Sequence, residues 1–146
     1  MSGRIDYRLV DTPDAFVHAA EALERGRGPF AVDTERASSF RYGERAFLVQ
    51  VRRRGAGTFL IAPEGHREAA RATFAPVLND AEWIIHAAGE DLRSLALLGL
   101  HPGVLFDTEL ASRLAGYSRP NLAAMVERFV GVELSLIHIS EPTRPY

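Results

Sequence analysis

Pro29-Phe30-Ala31-Val32-Asp33-Thr34-Glu35 runs from an apolar strand straight into two acids, and the rest of the chain arranges itself around it. Side chains two apart in a strand share a face, so Asp33 and Glu35 stand side by side at the end of a strand spanning Phe30 to Arg36. Two more strands follow, Ala46 to Arg52 and Thr58 to Ala62, with turns at Gly43 and at Gly55-Ala56-Gly57. These connections are too short to hold crossover helices, so the three strands pair as an antiparallel meander. The second strand is apolar on both alternating faces, which suits an internal position.

Outward from the meander the chain alternates helix and strand. Upstream, Tyr7 to Val10 reads as a short opening strand. Thr12-Pro13-Asp14 then starts a helix, with a capping hydroxyl, a proline in the first turn and an acid at the positive end of the dipole. Phe16, Ala19, Ala20 and Leu23 give that helix one buried stripe, and Gly26 and Gly28 end it. Downstream, Ala70, Phe74, Val77 and Leu78 mark a helix, Trp83 to Ala87 a strand and Glu90 to Leu98 a helix. Val104 to Phe106 follows as a strand and Glu109 to Leu114 as a helix. Asn121 caps a last helix with Leu122, Met125, Val126 and Phe129 on one face, stopped by Gly131. The predicted fold class is α/β: a mixed sheet, built on the three-stranded meander plus further strands, flanked by helices.

Composition narrows the function classes. At 146 residues, 47% hydrophobic and 25% charged, the chain has the make-up of one ordinary globular domain rather than a disordered segment. No apolar run is long enough to span a bilayer, and the N-terminus lacks the apolar core of a signal peptide. Cysteine is absent, which removes disulfides and thiolate metal sites and points to a cytoplasmic location. The net charge of −2 advertises no polyanionic partner. All 17 basic residues are arginine. A GC-rich coding sequence accounts for that, although the guanidinium fork also suits phosphate.

Four groups of residues carry chemistry. Asp33 and Glu35 repel one another unless a cation lies between them, and Mg²⁺ or Mn²⁺ prefers such oxygen ligands; a solvated strand end is the plainer alternative. The same tripeptide recurs as Asp107-Thr108-Glu109, where a strand gives way to a helix. There Asp107 or Thr108 caps and Glu109 favours the dipole, a structural role. Asp91 lies in His86-Ala87-Ala88-Gly89-Glu90-Asp91-Leu92, at a strand–helix joint. It reads as a third ligand or as an ordinary first-turn acid, and His86 as a functional group or a satisfied strand-end histidine. Arg52-Arg53-Arg54, with Arg36, Arg41 and Arg45, makes the meander locally basic, either a solvated hairpin or a contact for phosphates. Tyr42 beside them could stack on a base. Trp83 reads as core, and no phosphate-binding glycine motif is present.

The order of these pieces resembles a known family. Phe30-Ala31-Val32-Asp33-Thr34-Glu35 is similar to the first exonuclease motif of the DEDD superfamily. His86 to Leu92 is similar to the second, in the version found in ribonuclease D. Phe106-Asp107-Thr108-Glu109-Leu110-Ala111 and Leu122-Ala123-Ala124-Met125-Val126 resemble the stretches that follow there, so the likeness runs from about Tyr7 to about Leu134. It implies an RNase H-like fold with the meander as the first three sheet strands. It further implies a metal-dependent 3′–5′ exoribonuclease of tRNA and other stable RNAs. By position, Asp33, Glu35 and Asp91 match catalytic metal ligands for two divalent ions, Mg²⁺ or Mn²⁺. The implied partner is an RNA 3′ end, with Arg36, Arg41, Tyr42 and His86 as candidate nucleic-acid contacts, acting as a monomer and without a membrane. Single-stranded DNA as substrate and a catalytically dead binding module remain open alternatives.

The chain departs from the family in one respect. The family has a fourth carboxylate in a late Tyr-x-x-x-Asp motif, whereas the last aspartate here is Asp107. Tyr117 to Asn121 has the spacing but ends in asparagine and lies too early. From Leu134 to Arg144 the sequence instead resembles a translated transposase-type sequencing adapter. Residues 1–134 are therefore expected to be a truncated exonuclease domain and 135–146 a non-native tail, a genuine divergent tail being the alternative. The chain as it stands is expected to be inactive or severely impaired.

Overall fold

Ten residues of one strand set the frame. The computed structural model describes residues 6–36 and 46–133. Within it, strand β2 (Arg27–Arg36) buries Phe30, Val32 and Thr34 and leaves Ala31, Asp33 and Glu35 exposed. It starts three residues before the predicted Phe30, because a register irregularity between Arg27 and Ala31 lets the chain pair earlier, with Gly28 at φ 75°. Strand β2 pairs antiparallel with β3 (Ala46–Arg54), which pairs antiparallel with β4 (Gly57–Ile61). The meander is as predicted.

The six-stranded sheet has the order β1-β4-β3-β2-β5-β6. Strand β1 (Tyr7–Val10) lies parallel to β4 at one edge. The meander thus supplies the second to fourth strands of the sheet, not the first three, because β1 returns through helix α1 (Pro13–Arg25) to the outer side of β4. Strand β5 (Glu82–Ile85) lies parallel to β2, and β6 (Val104–Asp107) parallel to β5 at the other edge.

The two sheet faces differ. Val10, Ile61, Phe59, Val49, Val51, Val32, Phe30, Trp83 and Ile85 point to one side and are buried beneath three helices. These are α1, α2 (Arg67–Leu78) and α3 (Gly89–Leu97). Helix α1 contributes Phe16, Ala19, Ala20 and Leu23, the stripe its spacing gave, and Thr12 caps it by accepting the Ala15 N–H at 3.3 Å. Phe16 meets Phe74 of α2 with ring centroids 5.6 Å apart. Trp83 is fully buried, and its indole N–H donates to the Leu78 carbonyl at 2.8 Å. Each large side chain buried here contributes roughly 1.5–3 kcal/mol.

The opposite face is open among the described residues. Tyr7 pairs with Thr58, Thr58 with Arg52, Arg52 with Ala31, Ala31 with Ile84 and Ile84 with Phe106, so all six share this face. Leu9, Leu60, Gln50 and Asp33 form the next row. Helices α4 (Thr108–Leu114) and α5 (Leu122–Val130) follow β6 at the sheet's edge. Asn121 caps α5 through the Ala124 N–H at 2.9 Å, and Gly131 ends it with φ 72°, as expected. Its apolar face is not buried in the core; it lines a trough of about 390 Å³ with Phe106, Ala111 and Tyr117. No helix among the described residues is long and apolar enough to cross a membrane. Arg41, Tyr42, Gly43, Arg45 and the tail at 135–146 lie outside the described residues.

Candidate active site

The C-terminal end of β2 gathers the first candidate residues. Asp33 and Glu35 project from the open face, opposite Gln50 and Leu48 of β3. Thr34 between them points the other way, into the helix-covered side. Its hydroxyl donates to Asp91 Oδ1 at 2.5 Å. Asp91 occupies the first turn of α3 and therefore reaches β2 from beneath the sheet, while Asp33 and Glu35 stand above it.

Electrostatics ties these groups together. Asp33 titrates above the ordinary carboxylate value. Dehydration raises it most, the Thr34 backbone N–H opposes, the Glu35 charge raises it further, and His86 pulls it back. Asp91 is also raised, first by dehydration, against the Thr34 hydroxyl. The charge of Asp33 adds to the rise, Arg36 counters it, and Glu90 adds to it again. Glu35 raises Asp33 and Asp33 raises Asp91, the mark of a local excess of negative charge.

That excess, presented by hard oxygen donors, fits a divalent cation in kind. The assembly is incomplete in number. Among the described residues no group of three or more His, Asp or Glu side chains is positioned to hold a metal ion. The geometry gives the reason: Asp91 is drawn to Thr34 on one side of β2, away from the face that carries Asp33 and Glu35. The structure thus makes Asp33 and Asp91 electrostatic neighbours without closing a three-carboxylate set.

The elbow between β5 and α3 is held from outside. Ala87 takes a left-handed conformation at φ 55°, uncommon for a residue with a Cβ. Its N–H donates to Asp107 Oδ1 at 3.1 Å, and the Ala88 N–H to Asp107 Oδ2 at 2.9 Å. Asp107 Oδ1 also accepts the N–H groups of Glu109 at 2.9 Å and Leu110 at 3.2 Å, capping α4. Partial burial pushes this carboxyl up, but the backbone donors of Ala88, Leu110, Ala87 and Glu109 outweigh it and leave Asp107 below the usual value. Next to it, His86 Nδ1 lies 2.9 Å from Thr108 Oγ1.

The second Asp-Thr-Glu is therefore more than the helix cap its sequence suggested. Asp107 also clamps the turn that launches α3, and Thr108 holds His86. Sequence reasoning missed this clamp because Asp107 lies about twenty residues from its partners. One signal was available: β5 and β6 are parallel neighbours, and Ile85 pairs with Asp107, so both strands end at one level. Thr34 was missed too, since the middle residue of the motif points away from the acids. Of the nucleic-acid candidates, Arg36 forms an ion pair with Glu90, and His86 sits beside Asp33 on the open side.

Comparison with known proteins agrees with this architecture. The profile of the 3′–5′ exonuclease family matches residues 7–141, extending past Leu134. The sheet is of the RNase H-like class. The chain belongs to the 3′–5′ exonuclease family. A solved protein from Bifidobacterium adolescentis is 42% identical, with a TM-score of 0.81 over 88% of this chain and 31% of that one. The catalytic core of RRP6 from Trypanosoma brucei is 25% identical, with a TM-score of 0.82 over 100% of this chain and 41% of that one. Escherichia coli RNase D, an exoribonuclease involved in structured RNA processing, is 27% identical. Its TM-score is 0.75, over 95% of this chain and 38% of that one. The chain spans less than half the length of each. No curated protein matches.

Proposed function

We propose that this chain is the nuclease portion of a metal-dependent exoribonuclease that removes nucleotides from RNA 3′ ends, in the manner of ribonuclease D. The observation that carries the reading is the gathering of Asp33 and Glu35 on an open sheet face, close enough to Asp91 at the start of α3 that the charge of Asp33 raises the proton affinity of Asp91. The likeness to an exoribonuclease of structured RNA favours RNA over DNA.

Asp33 and Glu35, joined by Asp91 once its carboxylate leaves Thr34, are the residues that would hold the metal. Divalent ions bound there supply charge neutralisation at the phosphate and an activated water. The chain's own contribution is positional. Strand β2 presents Asp33 and Glu35 to an open face wide enough for a polymer, and Thr34 fixes Asp91 on the α3 side. The Asp107 clamp holds α3, and His86, fixed by Thr108, lowers the proton affinity of Asp33 from the side.

Three of the family's four carboxylates are present, so turnover by the chain alone is expected to be weak or nil. Trimming of matched 5′-labelled RNA and single-stranded DNA, with Mg²⁺ or Mn²⁺ and with EDTA, tests the reading. Metal-dependent shortening of RNA from the 3′ end, faster than DNA and abolished by Asp33→Ala, supports the nuclease assignment and overturns the expectation of inactivity. Faster trimming of DNA would replace the RNA assignment. The tail is tested separately, by sequencing the source gene across codons 130–146. A different reading frame there with an acid-bearing late helix sustains its assignment as non-native.

A further inference from the structure

The carboxylates occupy one end of the open face; the other end is a cleft lined with arginine. It measures about 680 Å³, with Arg27, Arg52, Arg53 and Arg54 around it and Ala31 and Ile84 at its floor. No carboxylate lines it. Ala31 precedes Asp33 by two residues on the same face of β2, so the cleft begins about 7 Å from the first acid.

The four arginines have separate duties. Arg53 is structural: it lies 4.2 Å over the Phe30 ring and donates to the carbonyls of Gly28 at 2.9 Å and Leu23 at 2.8 Å. It ties the β3–β4 hairpin to the end of α1. Arg52 donates to Thr58 Oγ1 at 2.8 Å, and among the described residues the rest of its fork has no partner. Arg27 and Arg54 are direct cross-strand partners, both exposed. Like charges placed opposite each other in a sheet repel. Among the described residues no ion pair relieves either of them. Glu82, two residues before Ile84 on that face, is the adjacent acid and pairs with neither.

We infer that this arginine cleft is a phosphate-binding subsite, which takes the backbone of a nucleic-acid strand whose 3′ end lies at Asp33 and Glu35. Arg27, Arg52 and Arg54 contact successive phosphates, and the strand runs along β2 over Ala31. Backbone contacts of this kind position a polymer without reading its sequence. The Arg27–Arg54 repulsion is then relieved by the ligand rather than by the protein. The inference rests on the nuclease reading above for the strand's polarity, not for its binding.

The test is binding of a labelled single-stranded RNA dodecamer by fluorescence anisotropy in EDTA, over a salt series, with the whole chain. The variants are Arg27→Glu and Arg54→Glu. Each places opposite charges across the two strands, so thermal melting should show no loss of stability. Each should weaken RNA binding about tenfold at low salt and lower the salt slope by about one. Unchanged affinity and slope in folded variants would overturn the subsite and leave the carboxylate site standing. So would a wild-type chain that fails to bind RNA, or equal competition by polyglutamate at matched charge. RNA binding that is lost in both variants, from a wild type whose Tm responds to neither Mg²⁺ nor Mn²⁺, would uphold the subsite and count against the nuclease reading instead.

Discussion

The chain contains the tripeptide Asp-Thr-Glu twice, and the two copies have opposite physical lives. In Asp33-Thr34-Glu35 the backbone is extended, so the acids share an open face, and Asp33 is left with a raised proton affinity. In Asp107-Thr108-Glu109 the strand ends at the first residue and a helix starts at the second. Asp107 there collects four backbone N–H groups and titrates below the usual value. The same three side chains become a candidate site in one place and a fastener in the other. What differs is where the surrounding N–H groups point.

Removing the two aspartates should separate these roles most strongly. Asp107→Ala leaves an uncapped α4 and two unpaired N–H groups at the elbow, and is expected to cost about 2 kcal/mol or more in urea denaturation. Asp33→Ala should cost nothing, or stabilise slightly, because it removes a carboxylate held near two others. Equal losses at both positions would erase the distinction.

Acid should act on the two copies with opposite sign. Asp107 has a lowered folded value, so its stabilisation is present above the ordinary aspartate pKa of about 3.9 and is lost as pH falls through the folded value. Asp33 and Asp91 have raised folded values, so they oppose folding at neutral pH, and that opposition fades as pH falls through those values. Denaturation against pH checks this. Asp107→Asn should flatten the acid limb, while Asp33→Asn should gain stability near neutrality and converge with wild type in acid.

Metal comes next in size. Millimolar Mn²⁺ or Mg²⁺ should raise Tm, since a ligand of the folded state alone stabilises it by mass action. A site half-saturated at that concentration yields about 0.4 kcal/mol, and tenfold tighter binding about 1.4 kcal/mol. The rise should vanish in Asp33→Asn and persist in Arg52→Ala; a rise that survives Asp33→Asn would place the metal elsewhere. The smallest effect on the metal response belongs to Thr34→Val, which keeps the shape and removes the hydroxyl held by Asp91. It should cost about 1 kcal/mol and change the metal-induced shift in Tm, because Asp91 loses its tether. A variant that loses stability with the metal response untouched would show that Thr34 only packs.

The fold was legible where its causes are local. The α1 stripe of Phe16, Ala19, Ala20 and Leu23, the Asn121 cap and the Gly131 stop are each written within one or two turns of helix, and all occur as read. The meander followed from loop lengths too short for any other connection. Half of the candidate site was legible for the same reason, since a period of two places Asp33 beside Glu35. The other half depends on partners distant in sequence. That Asp91 meets Thr34 rather than Glu35, that Asp107 reaches back to Ala87, and that Arg27 faces Arg54 are all consequences of the sheet order. No local window carries that information.

The parallel pairing of β1 with β4 also sets a schedule. Tyr7 leaves the ribosome about fifty residues ahead of Thr58, its register partner. At synthesis rates of about 5–20 residues per second, the first strand waits roughly 3–10 seconds for a place to dock. Helix α1 and the β2–β3 hairpin can form in that interval, but the edge strand cannot. The earliest strand to be made is among the last to be placed, and a slowly translated stretch between residues 30 and 58 would lengthen the time that Tyr7, Leu9 and Val10 spend without a sheet.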